Sequence, residues 1–463
     1  MYRYVFALAV FFASITTKGG ENFSSVFSER AKCAVAVKYI LQLEEERRQI
    51  VTCAMVADSD GLIVVPASEI PGLARVESIR DFKVFVYGGD ASGYPADYLG
   101  LDPISGAHFL RLRGGLPDTM LPFSKFKRAK AEIAQELWGV SIASEEDMFE
   151  PFYTRSYVSK IGRRPMWTGD TGGGVASVGA PVFDKLGNFV GWGQSQSHEE
   201  KIILYSNSKR DEVILVSPSQ TSTFLLPEEL DGILERIPKN PGGDPRAWVG
   251  LVDMQMLKPD VAKILGLEDK CAIVVSGVIK DSPAQKAGIK KGDIIIGIDG
   301  KDIERLNSNS DSLGNFWMKL AKCKVGDKVS LSILRGAELP KTYEVRMGEL
   351  PKTLRQSNYK YFKRLGFSIR EFLLDDAIAR RMLDKDKDAA VVQFVKPNSP
   401  ASSAMPGRLA IGDVIKEINS KPVAGYAEAV EILAKIDADA SVKDLVILAE
   451  DFRETKVIRV KLD

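Results

Sequence analysis

Histidine is scarce in this chain: two residues in 463, His108 and His198. Cysteine is almost as rare, with Cys33, Cys53, Cys271 and Cys323 the whole complement, and no Cys-x-x-Cys or His/Cys cluster occurs. A zinc site draws three or four such ligands into close array, so no metal is expected. Four cysteines are also too few for a disulfide framework at this length. Cys33 and Cys53 fall on strands expected to be consecutive. A hairpin centred near Glu46 places Cys33 opposite residue 60 or so rather than opposite Cys53, which favours buried thiols over a bridge. Charge of one sign is missing too: 63 Lys and Arg stand against 62 Asp and Glu, a net charge of +1. With no long like-charge block there is no electrostatic footprint for nucleic acid.

Long apolar runs are absent. Val5–Ala13, extended by Ser14 and Ile15, follows Arg3 and gives way to polar Thr16–Gly20. That run is short of the ~20 apolar residues a spanning helix needs and has the layout of a secretory signal peptide over residues 1–20. No clear Ala-x-Ala cleavage site follows, so retention as an anchor is an alternative, as is a buried first strand. The expected location is extracytoplasmic, periplasmic or secreted.

What the chain does have is a globular composition, 45% hydrophobic and 27% charged, over a length suited to about three domains. Its clearest feature is an internal repeat. Residues 282–301 read Ser-Pro-Ala-Gln-Lys-Ala-Gly, then Gly-Asp-Ile-Ile-Ile-Gly-Ile-Asp-Gly-Lys. Residues 399–421 repeat Ser-Pro-Ala-Ser-Ser-Ala, carry three more residues than the first copy before the next Gly-Asp, and continue Gly-Asp-Val-Ile-Lys-Glu-Ile-Asn-Ser-Lys. In each, Ser-Pro-Ala has the serine cap and first-turn proline of a short helix. Gly-Asp then turns the chain into an alternating strand, and Asp299-Gly300 or Asn419-Ser420 makes the next tight turn. Upstream of the repeats stand Trp248-Val249-Gly250-Leu251 and Arg364-Leu365-Gly366-Phe367, and helical stretches are expected near Leu313–Leu320 and Ala427–Ala434. These segments resemble the PDZ signature "SPAxxAGLxxGDxIxxxxG" with its hydrophobic-Gly-hydrophobic loop. The resemblance implies two peptide grooves. Backbone amides near Val249, Gly250 and Leu251, and near Leu365, Gly366 and Phe367, would take a terminal carboxylate while a strand edge pairs with the peptide.

The first half reads as all-β. Val35, Val37, Tyr39, Leu41 and Leu43 alternate; residues 51–65 form a hairpin; 82–87, 107–113, 181–192 and 202–216 are further short strands. Three segments resemble the active-site stretches of the high-temperature-requirement (HtrA) proteases. Residues 176–191 resemble that family's Gly-Asn-Ser-Gly-Gly-Pro segment; anchored on Gly179, Ala180, Pro181, Gly187 and Gly191, they put Val178 at the serine position. Residues 56–68 resemble "VDxxGxILTNAHV", with Ser68 in place of the histidine. Residues 96–112 resemble "AxxxGxDPxxDLALLKI", with Gly106 in place of the orienting aspartate. Nucleophile, base and orienter work as a unit, and losing serine or histidine costs roughly a factor of 10⁶ in turnover. The three positions therefore predict a pseudoprotease, not an enzyme.

Other chemistry is thinner. Asp170-Thr171-Gly172 has no second Asp-Thr/Ser-Gly to share a proton with, so an aspartic dyad is not expected. Gly169–Gly174 lacks the Lys-Ser/Thr of a P-loop, and no cofactor is expected. Ser177 adjoins the serine position, but using it would need a base. His108 lies on the expected strand 107–112, half-buried, and His198 lies in a polar loop.

The expected architecture is mainly β: a chymotrypsin-like double β-barrel over residues 26–238, then two PDZ (α+β) domains over 246–349 and 362–463. The expected role is an exported, non-catalytic scaffold, adaptor or chaperone-like binder of protein C-termini or extended, unfolded peptides. The alternative is an active HtrA-type serine endopeptidase in protein quality control. The family resemblance further implies a homo-oligomer, commonly a trimer, or a mixed oligomer with an active paralogue.

Overall fold

The computed structural model describes residues 23–194, 202–205, 212–215, 222–336, 338–381, 388–451 and 454–462. The expected signal segment and His198 lie outside them. The described chain is mainly β, and no helix in it is long and apolar enough to cross a membrane.

A short helix, α1 (Phe23–Ala31), leads into a closed barrel of six strands: β1 (Ala34–Gln42), β2 (Arg47–Val56), β3 (Leu62–Val65), β4 (Ile79–Phe85), β5 (Tyr94–Leu101) and β6 (His108–Leu112), ordered β1-β2-β3-β6-β5-β4. The period-2 alternation of β1 decides its facing. Val35, Val37, Tyr39 and Leu41 enter the barrel core beside Val56, Ile63, Phe82 and Leu110, whereas Leu43 lies past the strand end and is exposed. The β1–β2 ladder pairs Ala36 with Cys53, and the Cys33 carbonyl accepts from the Val56 amide at 2.9 Å. The turn is thus centred one to two residues earlier than Glu46, Cys33 and Cys53 are three rungs apart, and both thiols are free and buried. Burial pushes Cys53 up to about 12, and Cys33 higher still.

The second barrel is built from β7 (Glu136–Ile142), β8 (Pro151–Arg163), β9 (Trp167–Thr171), β10 (Pro181–Asp184), β11 (Phe189–Gly193) and, after the hairpin β12 (Ile202–Tyr205) and β13 (Glu212–Leu215), β14 (Ser222–Leu225). Its order is β10-β11-β14-β9-β8-β7. Together the two closed sheets make the chymotrypsin-like double barrel. α2 (Pro227–Leu234) starts on a proline at its first turn and buries Leu230 and Ile233. They join Phe27, Phe109, Phe123, Phe183, Phe189 and Trp192 in a core shared by both barrels and both helices.

Two smaller modules follow, each with its own core. In the first, Gln255–Met256, Ile273–Val274, Ile294–Ile298, Lys328–Leu334 and Lys341–Arg346 form one sheet in that order, and Leu251–Val252 pairs separately with Gly277–Val278. Helix Asn309–Ala321 buries Phe316 and Leu320, and Ser308 caps it by accepting from the Asp311 amide. In the second, Tyr359–Phe362, Phe367–Glu371, Ala390–Val395, Val414–Ile418, Asp444–Glu450 and Thr455–Lys461 are sheet neighbours in order, with helix Tyr426–Ala438 across them. Ser282 caps the helix Pro283–Lys286, accepting from the Gln285 amide. At Ser399 the repeat makes turns instead of a helix, because Ser402 returns hydrogen bonds to the Ser399 backbone.

Candidate functional site

Three loops each carry one of the positions singled out in the sequence, and they approach one another where the barrels meet. The loop 172–180 joins β9 to β10. Its Ser177 amide donates to the buried Ser141 hydroxyl at 2.8 Å, the Ala180 amide to the Ser177 carbonyl at 3.0 Å, and the Trp192 indole to the Gly179 carbonyl at 2.9 Å. Gly179 lies flush against the first barrel: a Cβ there would sit 2.1 Å from the Cys53 carbonyl oxygen and 3.2 Å from Pro66. Val178, half-buried, is the neighbouring residue. Gly106 closes the turn before β6 with φ +74°, and a Cβ on it would meet the Ala67 Cβ at 2.9 Å. Ser68, next in sequence, is exposed and donates to Glu69 at 3.0 Å. The short turn Pro66–Ser68 is therefore where the loops carrying Val178 and Gly106 meet.

The histidine among the described residues is engaged inside the first barrel. His108 is fully buried on β6, and its Nδ1 meets the Tyr98 hydroxyl at 2.8 Å. Tyr98 belongs to a column of stacked rings with Phe82 and Tyr39. Burial, aided by the nearby Arg355 cation and opposed by the Ile70 carbonyl, holds the imidazole down to about 3. The sequence suggested a half-buried ring. Its complete burial follows from Tyr98 and the segment around Arg355 closing over it.

Two buried carboxylates have structural tasks. Asp102 accepts from the Ile104 and Ser105 amides and the Ser105 hydroxyl, and takes a bidentate pair from Arg236 just beyond α2, both bonds 2.9 Å. It thereby ties the Gly106 turn to the closing helix, a role that the Gly-x-Asp-Pro spacing alone does not announce. Asp170 pairs with Arg164 and accepts from the Thr223 hydroxyl at 3.1 Å. Among the described residues no group of three or more His, Cys, Asp or Glu side chains is placed to hold a metal ion.

In the first module, Gly250 has φ +84°, and a Cβ on it would meet the Ser282 Cβ at 2.2 Å. The Val249 carbonyl accepts from the Ala284 amide and the Gly250 carbonyl from the Ile279 amide, while the Val249 and Gly250 amides have no acceptor among the described residues. Beside Val249 a cavity of about 210 Å³ is lined by Trp248, Val249, Trp317 and Leu320, with Arg246 and, from the β5–β6 connection, Pro103. The second module repeats the contact: a Cβ on Gly366, φ +78°, would meet the Ser399 Cβ at 2.3 Å. Leu365 and Phe367 flank it, fully buried.

Comparison with known proteins gives this geometry a context. The PDZ domain family matches residues 251–345. Over 369 residues the chain is 25% identical to a "Probable periplasmic serine endoprotease DegP-like" of Marinomonas sp. (strain MWYL1), covering 77% of this chain and 70% of that protein. A protein of the same name from Pseudomonas fluorescens is 25% identical over 374 residues, 78% and 70% of the two chains. One from Pseudomonas fulva is 30% identical over 205 residues, 42% and 39% of the two. Among solved structures, the HtrA-type protease AlgW with a tripeptide aligns over 72% of this chain and 98% of its own, with TM-score 0.52 and 18% identity, a likeness of fold. The chain thus resembles HtrA/DegP-type, trypsin-fold proteins carrying a PDZ domain.

These relatives correct the expectation that the chain is no enzyme, since they are named serine endoproteases. The physical reason lies in where Val178, Ser68 and Gly106 stand. All three are in loops, outside the ladders of β9–β10, β3 and β6. Strand pairing locks which way a side chain faces, and a loop has no such lock. A motif match at about a quarter identity therefore does not establish which loop side chain does the chemistry.

Proposed function

We propose that the chain is an extracytoplasmic, HtrA-type serine endopeptidase that captures extended or C-terminal peptides of unfolded protein through its first PDZ module. In this reading residues 26–238 are the trypsin-like domain, 246–349 the first PDZ domain and 362–463 the second. Assembly as a homo-oligomer, or with a paralogue, accords with the fold.

One observation carries the binding half: the amides of Val249 and Gly250 have no acceptor among the described residues, and Val249 lines the cavity walled by Trp248, Trp317 and Leu320. Amides converging on a turn favour an anion without any charged side chain. The cavity takes an apolar terminal side chain, and the edge of Leu251–Val252 offers the backbone ladder.

The hydrolytic half is supported by the relatives' names and by the double barrel. It requires a nucleophile and a base in hydrogen-bond reach. Val178 has no nucleophilic atom, Ser68 is bonded to Glu69, and His108 is bonded to Tyr98. Ser177, beside the position of Val178, is therefore the serine to test, and no base is assigned among the described residues. The experiment is casein digestion with an active-serine probe, using the native protein and Ser177→Ala. Cleavage and labelling that vanish in the variant are expected. Absence of both in the native protein would remove the hydrolytic half and leave the binding half standing.

A further inference from the structure

The two C-terminal modules share the glycine–serine contact but differ at the edge beside it. In the first, Leu251–Val252 pairs with Gly277–Val278 and with no other described strand. In the second, Phe367–Glu371 is paired on both sides. Ala390–Val395 takes one edge, and Tyr359–Phe362 takes the other in antiparallel register, from Tyr359 opposite Arg370 to Phe362 opposite Phe367. Helix Tyr426–Ala438 packs against both Tyr359–Phe362 and Phe367–Glu371. The segment before the glycine loop thus lies between strand and helix, where an added peptide strand would run.

The anion position is filled as well. The Arg364 and Leu365 amides both donate to Asp437 Oδ1, at 2.8 and 3.1 Å, and the Gly366 amide donates to the Phe362 carbonyl at 2.8 Å. Asp437 belongs to the same helix that walls the groove. A side-chain carboxylate of the chain itself therefore occupies the amides that would receive a peptide's terminal carboxylate. Among the described residues of the first module, no carboxylate accepts from the Val249 or Gly250 amide.

The occupying strand is also held from outside the module. The Arg75 guanidinium lies 3.7 Å from the centre of the Tyr359 ring and donates to the Ser357 carbonyl at 3.3 Å. At the tip of the β1–β2 hairpin, Glu45 accepts from Tyr361 and, at 2.8 Å, from Lys396.

We propose that the groove of the second module is an extended-peptide site filled by this chain's own residues, with Tyr359–Phe362 as the added strand and Asp437 as the carboxylate. The inference rests on the reading of the first module as a peptide binder and deepens it: free C-termini go to the first module alone. A strand tethered by the four-residue turn 363–366 competes at an effective concentration on the order of millimolar or above, so a dilute free peptide does not displace it. Phe362, inserted into the module core, adds to that advantage.

Hydrogen exchange and calorimetry on the full chain test the proposal. The probe is a decapeptide ending in three apolar residues with a free carboxylate. Residues 359–371 should be protected in the free protein and unchanged by peptide, with one equivalent bound and new protection confined to 248–256. Asp437→Ala should speed exchange at 363–366 roughly tenfold, the loss of about one hydrogen bond to a charged group. Unprotected 359–362 in the free protein, two equivalents bound, or peptide that protects 367–371 while releasing 359–362 would each overturn the proposal. If no peptide binds, the reading of the first module falls, and protection of 359–371 still supports the self-filled groove.

Discussion

The guanidinium of Arg355 lies over the ring of Tyr98, 5.4 Å from its centre, and donates to the phenol oxygen at 2.9 Å. Arg355 stands in the short segment between the two C-terminal modules, so this contact brings a distant part of the chain back to the first barrel. The same guanidinium donates to the Ala74 and Pro241 carbonyls, each at 3.1 Å. It gathers the loop before β4, the connection after α2 and the core ring stack at one point.

Arg355→Ala should therefore loosen the second module from the barrel. Several buried acceptors lose a charged donor, a change expected to cost roughly 2–4 kcal/mol. Arg355→Lys should rescue little, because an ammonium cannot reproduce the planar fork. Limited proteolysis across 350–358 and the urea midpoint read the effect; cleavage no faster than in the native chain would refute it.

His108 should make stability depend on pH. Its folded value, about 3, lies below the ordinary histidine value of about 6.5. Between those limits the unfolded chain takes up a proton that the native ring refuses, so stability falls as pH drops from about 6.5 towards 3, by on the order of 3–5 kcal/mol. His108→Gln should flatten that segment of the stability curve. An unchanged slope in the variant would assign the acid sensitivity elsewhere.

Breaking the buried Asp102–Arg236 pair should be costly. Asp102→Ala leaves the Arg236 guanidinium without its bidentate partner and the Gly106 turn without its acceptor, a loss of about 3–5 kcal/mol. Thermal unfolding measures it, and a shift within error of the native protein would contradict the assignment.

Gly250→Ala should damage the module itself and not only its groove. The residue sits at φ +84° with the Ser282 Cβ 2.2 Å from the added carbon, so overpacking and backbone strain combine to roughly 2–4 kcal/mol. The close approach of Ser282 makes the fold of the module, and not only its groove, depend on this glycine. Ser282→Gly should partly restore Gly250→Ala in a double-mutant cycle, and simple additivity would argue against the contact.

In the first module, an acid peptide should bind more tightly than its amide by about 1.5–3 kcal/mol, the value of hydrogen bonds to a charged group. Titration of both forms decides it; equal affinities would reject carboxylate capture by Val249 and Gly250.

Much of the architecture was legible because it is written in local chemistry. The alternation of Val35, Val37, Tyr39 and Leu41 announces a half-buried strand, and Ser-Pro-Ala, Gly-Asp and Asp299-Gly300 announce cap and turns whose physics spans a few residues. The stretch 114–165 was poorly legible. β7 and β8 run through it, and β8 lacks a clean apolar alternation, since Phe152, Tyr153 and Tyr157 remain exposed on it. The composition and repeats of the sequence by itself determined a mainly β chain with a duplicated glycine-loop module. Which edges meet was decided only by tertiary structure. Nothing local distinguishes Trp248-Val249-Gly250-Leu251, whose loop amides are left open, from Arg364-Leu365-Gly366-Phe367, whose loop holds Asp437 and whose strand carries Tyr359–Phe362. The reason is physical: a strand's own sequence sets which face it buries, but the partner for its remaining hydrogen bonds is whichever segment the rest of the chain delivers to that edge.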